Sequence, residues 1–493
     1  GFMIAAPRSG SGKTMVTCGI LELLKRKQKN PFSYKCGPDY IDGLFHRKVL
    51  GIEGGNLDSF FEQPQDIREK YAAVSETHFP VVEGVMGYFD GLGGDTTAAS
   101  SWEVADILNL PVVLVVDAKG ASLSLAALIK GFQVFQGESQ SSQANKNGNH
   151  IQAVILNRIS PMLYPRMKAV IEKETGVLVA GYVPELDFWQ VGSRHLGLVL
   201  PGEIENLQEQ MRQLGDCLEK TLDVDVLLKL GEKADIDVLG SVTVTADGSS
   251  QKCEAQKNAD LVLQNQFAGE KISHSAIPIR LGVAWDEAFC FYYRDNLEFL
   301  EKQGVQIVQF SPVHDKHLPD DLDGLLLGGG YPELYAKALE ENETIRNEIR
   351  RKAEEDMPIL AECGGYLYLL KELEDENGTG YEMAGVFSGK GYKKGKNSHF
   401  GYITVQTEKD SLYLKAGETI KGHEFHYWES TQDENELKMQ AKKPTGKRSW
   451  PCVTVKNQVM AGFPHLYYPS LEGFGERFVQ ACDRYRMKRK RQQ

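Results

Sequence analysis

The chain has 493 residues, 41% hydrophobic and 25% charged, proportions that exclude a mainly disordered or collagen-like protein and leave room for two domains. No apolar run reaches about 18 residues, so no membrane-spanning helix is expected. The net charge of −12 argues against a protein that works by neutralising nucleic-acid phosphates.

The chain opens on the apolar strand Phe2–Ala6, without the charged start of a signal peptide. The absent initiator Met implies that a residue or two precede Gly1. Eight cysteines, none in a Cys-x-x-Cys pair, are too sparse for a disulfide scaffold, so a reducing cytoplasm is expected.

Pro7-Arg8-Ser9-Gly10-Ser11-Gly12-Lys13-Thr14 follows the first strand and leads into a helix over Met15–Lys27. This is close to a phosphate-binding loop, with Pro7 where the pattern has its first glycine. Gly10 and Gly12 let backbone N–H groups face phosphate oxygens, and the helix N-terminus adds its dipole. Lys13 supplies a charge for the β and γ phosphates, and Thr14 a hydroxyl for Mg²⁺.

Further buried strands read as Pro80–Glu83, Pro111–Asp117 and Ala153–Asn157, and strand alternating with helix predicts a parallel α/β sheet. Candidate carboxylates lie on glycine-rich loops at strand ends: Asp39 and Asp42 in Lys35–Gly43, and Glu83 and Asp90 in Val81–Gly91. A Mg²⁺ site needs such oxygen ligands, with Thr14, Glu83 and Asp39 the expected set. Asn157, at a strand end, is a candidate contact for the nucleotide base.

Gln136–His150 is polar and reads as an inserted loop, and 235–277 as a linker that could add a strand at Val242–Val244. Domains are therefore expected over 1–234 and 278–493. The second α/β pattern has strands at Ile279–Trp285, Val305–Phe310, Gly324–Leu327 and Pro358–Glu362, with a helix near Asn296–Gly304. The basic run Arg484–Arg491 reads as a solvated tail.

Pro358–Leu367 predicts a strand, a sharp turn at Cys363 and a helix, the setting of an activated thiol. The helix N-terminus is expected to lower the thiol pKa. Gly329 and Gly330, in Leu325–Glu333, offer backbone N–H groups for an oxyanion hole. His465 is the candidate base, with His423 and His426 as competitors; that pair lacks further metal ligands at convincing spacing.

Five ordered motifs, Lys35–Asp42, Val82–Gly91, Leu327–Glu333, Glu362–Tyr366 and Gly422–Tyr427, together resemble the cobyrinate a,c-diamide synthase family over nearly the whole chain. The resemblance implies a dethiobiotin-synthetase-like P-loop domain joined to a class I glutamine amidotransferase-like α/β domain. It implies ligase activity that uses glutamine, ATP and Mg²⁺ to amidate the a and c carboxylates of a corrin in cobalamin synthesis. The partners are then small molecules. Carried over, Cys363 is the glutaminase nucleophile and His465 its base, while Asp39, Tyr40, Asp42, Glu83 and Asp90 belong to the synthetase site. Amidotransferases of this class generally carry Glu two residues after the histidine; here Tyr467 stands there, so the base is less firmly oriented. Hydrogenobyrinate and nickel sirohydrochlorin remain alternative acceptors, and a partition-type ATPase is the reading from another class.

Overall fold

A computed structural model describes residues 1–135, 137, 150–189, 204–232, 278–394, 399–432, 437–446 and 448–492. The expected linker strand at Val242–Val244, and the Gln136–His150 loop apart from Gly137 and His150, lie outside the described residues.

The N-terminal domain is built on seven parallel strands: β1 (Phe2–Ala5), β2 (Pro31–Cys36), β3 (Gly54–Leu57), β4 (Phe79–Glu83), β5 (Val112–Asp117), β6 (Ile151–Asn157) and β7 (Leu178–Val183). Their order across the sheet is β3-β2-β4-β1-β5-β6-β7. Side chains of β1 alternate between two cores. Met3 and Ala5 face helices α3 (Pro64–Ser75), α4 (Ser101–Leu108), α5 (Ser124–Val134) and α6 (Tyr164–Thr175). Phe2 and Ile4 face α1 (Lys13–Arg26) and α7 (Ile204–Thr221) on the other side. Both faces are covered, as a parallel sheet requires. The strand order reverses around β1, so the loops after β1, β2 and β4 open at one edge, where doubly wound sheets bind ligands.

The C-terminal domain has a ten-stranded sheet, half parallel and half antiparallel. The parallel half runs β10 (Val305–Phe310), β8 (Ile279–Ala284), β11 (Gly324–Leu327), β13 (Ile359–Glu362) and Val459–Gly462. The antiparallel half adds Ser449–Lys456, Leu437–Lys442, Phe400–Gln406, Thr419–Phe425 and His465–Leu466. A short ribbon of β9 (Phe289–Phe291) and β12 (Gly329–Gly330) sits beside it.

One expectation about this domain is corrected. Arg484–Arg491 is no free tail but lies in the helix Glu472–Gln492. Arg486 is 3% exposed, and Arg489 pairs with the buried Asp323 at 3.1 Å. A charge run reads as solvated until the sheet edge it covers supplies counter-charges.

Candidate active site

The phosphate loop turns through Gly10 and Gly12, at φ 77° and 94°. A side chain at Gly12 would lie 2.2 Å from Asn157 Nδ2, which instead donates to the Ser11 carbonyl at 2.9 Å. Asn157 thus braces the loop from beneath. The open cleft nearby, about 670 Å³ at the ends of β5, β6 and β7, is lined by Arg158, Lys119 and Pro184 and not by Asn157.

Beside the loop, three predicted residues converge on Lys35, to which no role was assigned, and a fourth, Thr14, joins through Glu83. Lys35 Nζ lies 2.5 Å from Asp42, 2.9 Å from Glu83 and 4.0 Å from Asp39. Thr14 Oγ1 donates to Glu83 Oε1 at 2.6 Å. Burial would lower Lys35, but Asp42 and Glu83 lift it well above the ordinary lysine value. Burial raises Glu83 despite Lys35, whereas Lys35 holds Asp42 below the ordinary carboxylate range. Glu83 is fully buried, and its Oε2 has no hydrogen-bond partner among the described residues. A buried oxygen of this kind suits a cation, because leaving it unpaired is costly. Lys13 Nζ donates to the Met86 carbonyl at 2.5 Å, and burial, reinforced by Lys35, lowers its pKa to about 8. Asp90 accepts from Gly87 N at 2.9 Å and adds its charge to the Lys13 environment. Asp42 stands on the short helix α2 (Ile41–Phe45) and not on an open loop.

In the second domain Cys363 occupies φ 48°, ψ −102°, a strained conformation outside the helical and extended regions. Its N–H donates to the Gly462 carbonyl at 2.8 Å, which fixes the elbow to the neighbouring strand. The Gly328–Gly330 turn lies between the elbow and His465. A side chain at Gly329 would reach to 2.3 Å of His465 Cε1, and one at Gly364 to 3.0 Å of Gly330 N. Only glycine permits this approach.

The thiol pKa does not follow the expectation from the helix dipole. Burial pushes it up, Glu333 adds to the rise, and the Gly364 N–H opposes it only in part. Burial also drops His465 to about 3. Burial thus favours the neutral form of each group. His465 Nδ1 has no hydrogen-bond partner among the described residues. Tyr467 turns to the domain boundary, where its ring lies parallel to Phe61 at 4.9 Å and its hydroxyl donates to Asp295 at 3.1 Å. Of the competing histidines, His423 stacks on His465 at 4.9 Å, and its Nδ1 is hydrogen-bonded to the Tyr293 hydroxyl at 2.8 Å. His426 sits instead with Glu424 and His399, their ligand atoms within 4.8 Å of one another.

The two sites meet across a packed boundary. Tyr402 donates to Asp58 at 2.9 Å, Lys421 to the Phe60 carbonyl at 2.7 Å and Lys70 to Asp295 at 2.7 Å. Tyr40 departs from the synthetase assignment in its side chain: the ring enters the other domain and lies 5.4 Å from His465.

Residues 2–198 match the CobQ/CobB/MinD/ParA nucleotide-binding domain, and residues 280–471 the CobB/CobQ-like glutamine amidotransferase domain. The cobyrinate a,c-diamide synthase of Caldanaerobacter subterraneus subsp. tengcongensis is 36% identical, covering 98% of each chain. That of Streptococcus sanguinis is 37% identical over 95% of each, and that of Salmonella typhimurium 37% over 86% of this chain and 85% of its own. The chain belongs to the cobyrinate a,c-diamide synthase family. In this family member the motifs hold Lys35, Tyr40 and His423 but not Tyr293. Lys35 lies in a strand whose burial shows only in the structure, where a lysine must find carboxylates. Tyr293, outside every motif, is tied in by its hydrogen bond to His423 and its contact with the Tyr40 ring.

Proposed function

We propose that this chain, working in the cytoplasm, uses glutamine and ATP to amidate the a and c carboxylates of cobyrinate. The observation that carries this reading is the convergence of a phosphate loop and a cysteine elbow on one domain boundary. A carboxylate does not accept ammonia directly, because oxide is a poor leaving group. Transfer of the ATP γ-phosphoryl group gives an acyl phosphate, which ammonia attacks with release of phosphate. Lys13 leaves the Met86 carbonyl to meet the phosphates, helped by the Gly10–Gly12 amides. Glu83, Thr14 and Asp39 would hold Mg²⁺, which neutralises phosphate charge when bound. Asp42 keeps Lys35 in place, and Asp90 borders the acceptor carboxylate. In the glutaminase, His465 takes the Cys363 proton as sulfur attacks the glutamine amide carbon, and the Gly329 and Gly330 amides face the oxyanion. The proton leaves with ammonia, and water then cleaves the thioester to glutamate.

The test is to incubate the protein with glutamine, MgATP and cobyrinate and to follow product mass, ADP and glutamate. Two successive amidations, each with one ADP and one glutamate, support the proposal. Glutamate release with unchanged cobyrinate would redirect the search to another tetrapyrrole.

A further inference from the structure

Tyr40 belongs to one domain by sequence and to the other by contact. The turn that follows it is held by one carboxylate of the synthetase cluster, Asp39. Asp39 Oδ1 accepts from the N–H groups of Ile41 and Asp42 at 2.9 and 3.4 Å. Asn56 Nδ2 donates to the carbonyls of Gly37 and Asp39 at 2.8 and 3.0 Å, so this loop has little freedom to move piecemeal. The ring projects into the glutaminase, 4.6 Å from Tyr293, 5.6 Å from His423 and 5.4 Å from His465. It also lies parallel to Phe291 at 5.4 Å.

His465 needs such a support. Its Nδ1 is unpartnered among the described residues, and the residue two positions on, Tyr467, faces away toward Phe61. The imidazole plane is therefore set by ring contacts: His423, itself tied to Tyr293, and Tyr40. Burial holds the Tyr40 phenol in its neutral form. A single residue thus touches the glutaminase base while the turn that follows it is fixed by Asp39.

We infer that Tyr40 is a positioning residue for His465 and makes glutamine hydrolysis respond to occupancy of the synthetase site. The inference rests on the division of labour proposed above. Nucleotide or acceptor bound at the Lys35 carboxylate cluster changes the charges that hold the loop, and the loop carries the ring. A ligand shifts such an equilibrium only through different affinity for its two arrangements, and the coupling in binding is reciprocal. That reciprocity covers affinities and not the hydrolysis rate, so glutamine tightens ATP only by the factor by which ATP tightens glutamine.

The experiment measures glutamate release with and without MgATP, and with MgATP plus cobyrinate, for wild type, Tyr40→Phe and Tyr40→Ala. Ammonia-dependent amidation and the melting temperature are followed alongside. Wild type should release glutamate faster with MgATP, and faster again with MgATP plus cobyrinate. Tyr40→Phe retains the ring and should keep most of the stimulated-to-basal ratio. Tyr40→Ala should bring the ratio close to one, with glutamate produced in excess of amide and ammonia-dependent amidation retained. An undiminished ratio in Tyr40→Ala overturns the inference. So does loss of ammonia-dependent amidation in step with the glutamine-dependent rate, which would place Tyr40 in the synthetase site alone. If wild type releases glutamate but never amidates cobyrinate, the acceptor proposed above fails. The MgATP ratio then decides on Tyr40: equal ratios in wild type and Tyr40→Ala still overturn the inference, and a ratio lost in Tyr40→Ala supports it.

Discussion

The phosphate loop and the cysteine elbow both follow a buried parallel strand, and both turn on a residue of positive φ, Gly12 at 94° and Cys363 at 48°. Their surroundings differ. Lys13 stands among Lys35, Glu83, Asp42 and Asp90, whereas Cys363 and His465 are both buried among glycines and rings. The first arrangement suits the handling of phosphate with the help of a cation, because its three carboxylates outnumber its two lysines. The second suits acyl transfer to sulfur, a reaction that starts from a neutral amide. One geometric device therefore serves two chemistries, and the residues within reach of it decide which.

The contrast can be broken on one side at a time. Cys363→Ala should lower glutamine-dependent amidation by at least about a thousandfold, as loss of a nucleophile does, and leave the ammonia-dependent rate intact. Equal loss of both would end the division of labour. Glu83→Gln should lower both rates by about a hundredfold, because the charged site is shared by every route to the acyl phosphate. Parallel assays with glutamine and with ammonium chloride check the two together. Gly329→Ala should cost about tenfold to a hundredfold with glutamine alone, since its Cβ would displace His465.

The charged site also predicts a pH dependence. Burial and Lys35 bring Lys13 to about 8, so it is protonated below that pH and loses its charge above it. With ammonia as the nitrogen source, kcat/KM for ATP, which reports the free enzyme, should fall as pH rises through about 8. A flat profile to pH 9.5 would mean that Lys13 keeps its proton and that the cluster compensates its burial.

Much of this was legible in the sequence where the signal is contiguous. Strand, glycine turn and helix occur within about a dozen residues at both Lys13 and Cys363, so local geometry and chemistry are written together. β2 was not legible, because Ser33 and Lys35 interrupt its apolar run. Both are satisfied only by tertiary partners, Ser33 by His46 at 2.8 Å and Lys35 by Asp42 and Glu83. The antiparallel half of the second sheet escaped for a related reason: Thr419–Phe425 mixes Gly422, His423 and Glu424 into a strand whose polar groups meet partners from distant segments. The direction of the Cys363 pKa was misjudged because a helix terminus is visible in sequence and burial is not. Tyr40 was assigned by its neighbours in the motif, whereas its ring belongs to a surface that forms when the domains meet.

The smallest expected effect lies at that meeting surface. Tyr402 donates to Asp58 across the boundary at 2.9 Å, and Asp58 also accepts from the Phe60 and Phe61 N–H groups. Burial raises Asp58 to about 6, with the Tyr402 hydroxyl opposing the rise. A carboxyl whose folded pKa lies above its unfolded value costs stability once it must ionise, and here that cost grows as pH rises toward 6. Tyr402→Phe removes one donor, so it should raise the Asp58 pKa further and lower stability by about 1–2 kcal/mol at pH 7. Below about pH 5 the carboxyl is protonated in both proteins, and the difference should shrink to that of a neutral hydrogen bond. Denaturant midpoints of both proteins at pH 7 and pH 4.5 measure this directly. A difference that is the same at both values would mean that the boundary is held by ring packing, with Asp58 contributing little through its charge. The charged character of the synthetase side would then stop at the Lys35 cluster, and Tyr40 would meet the second domain through rings alone.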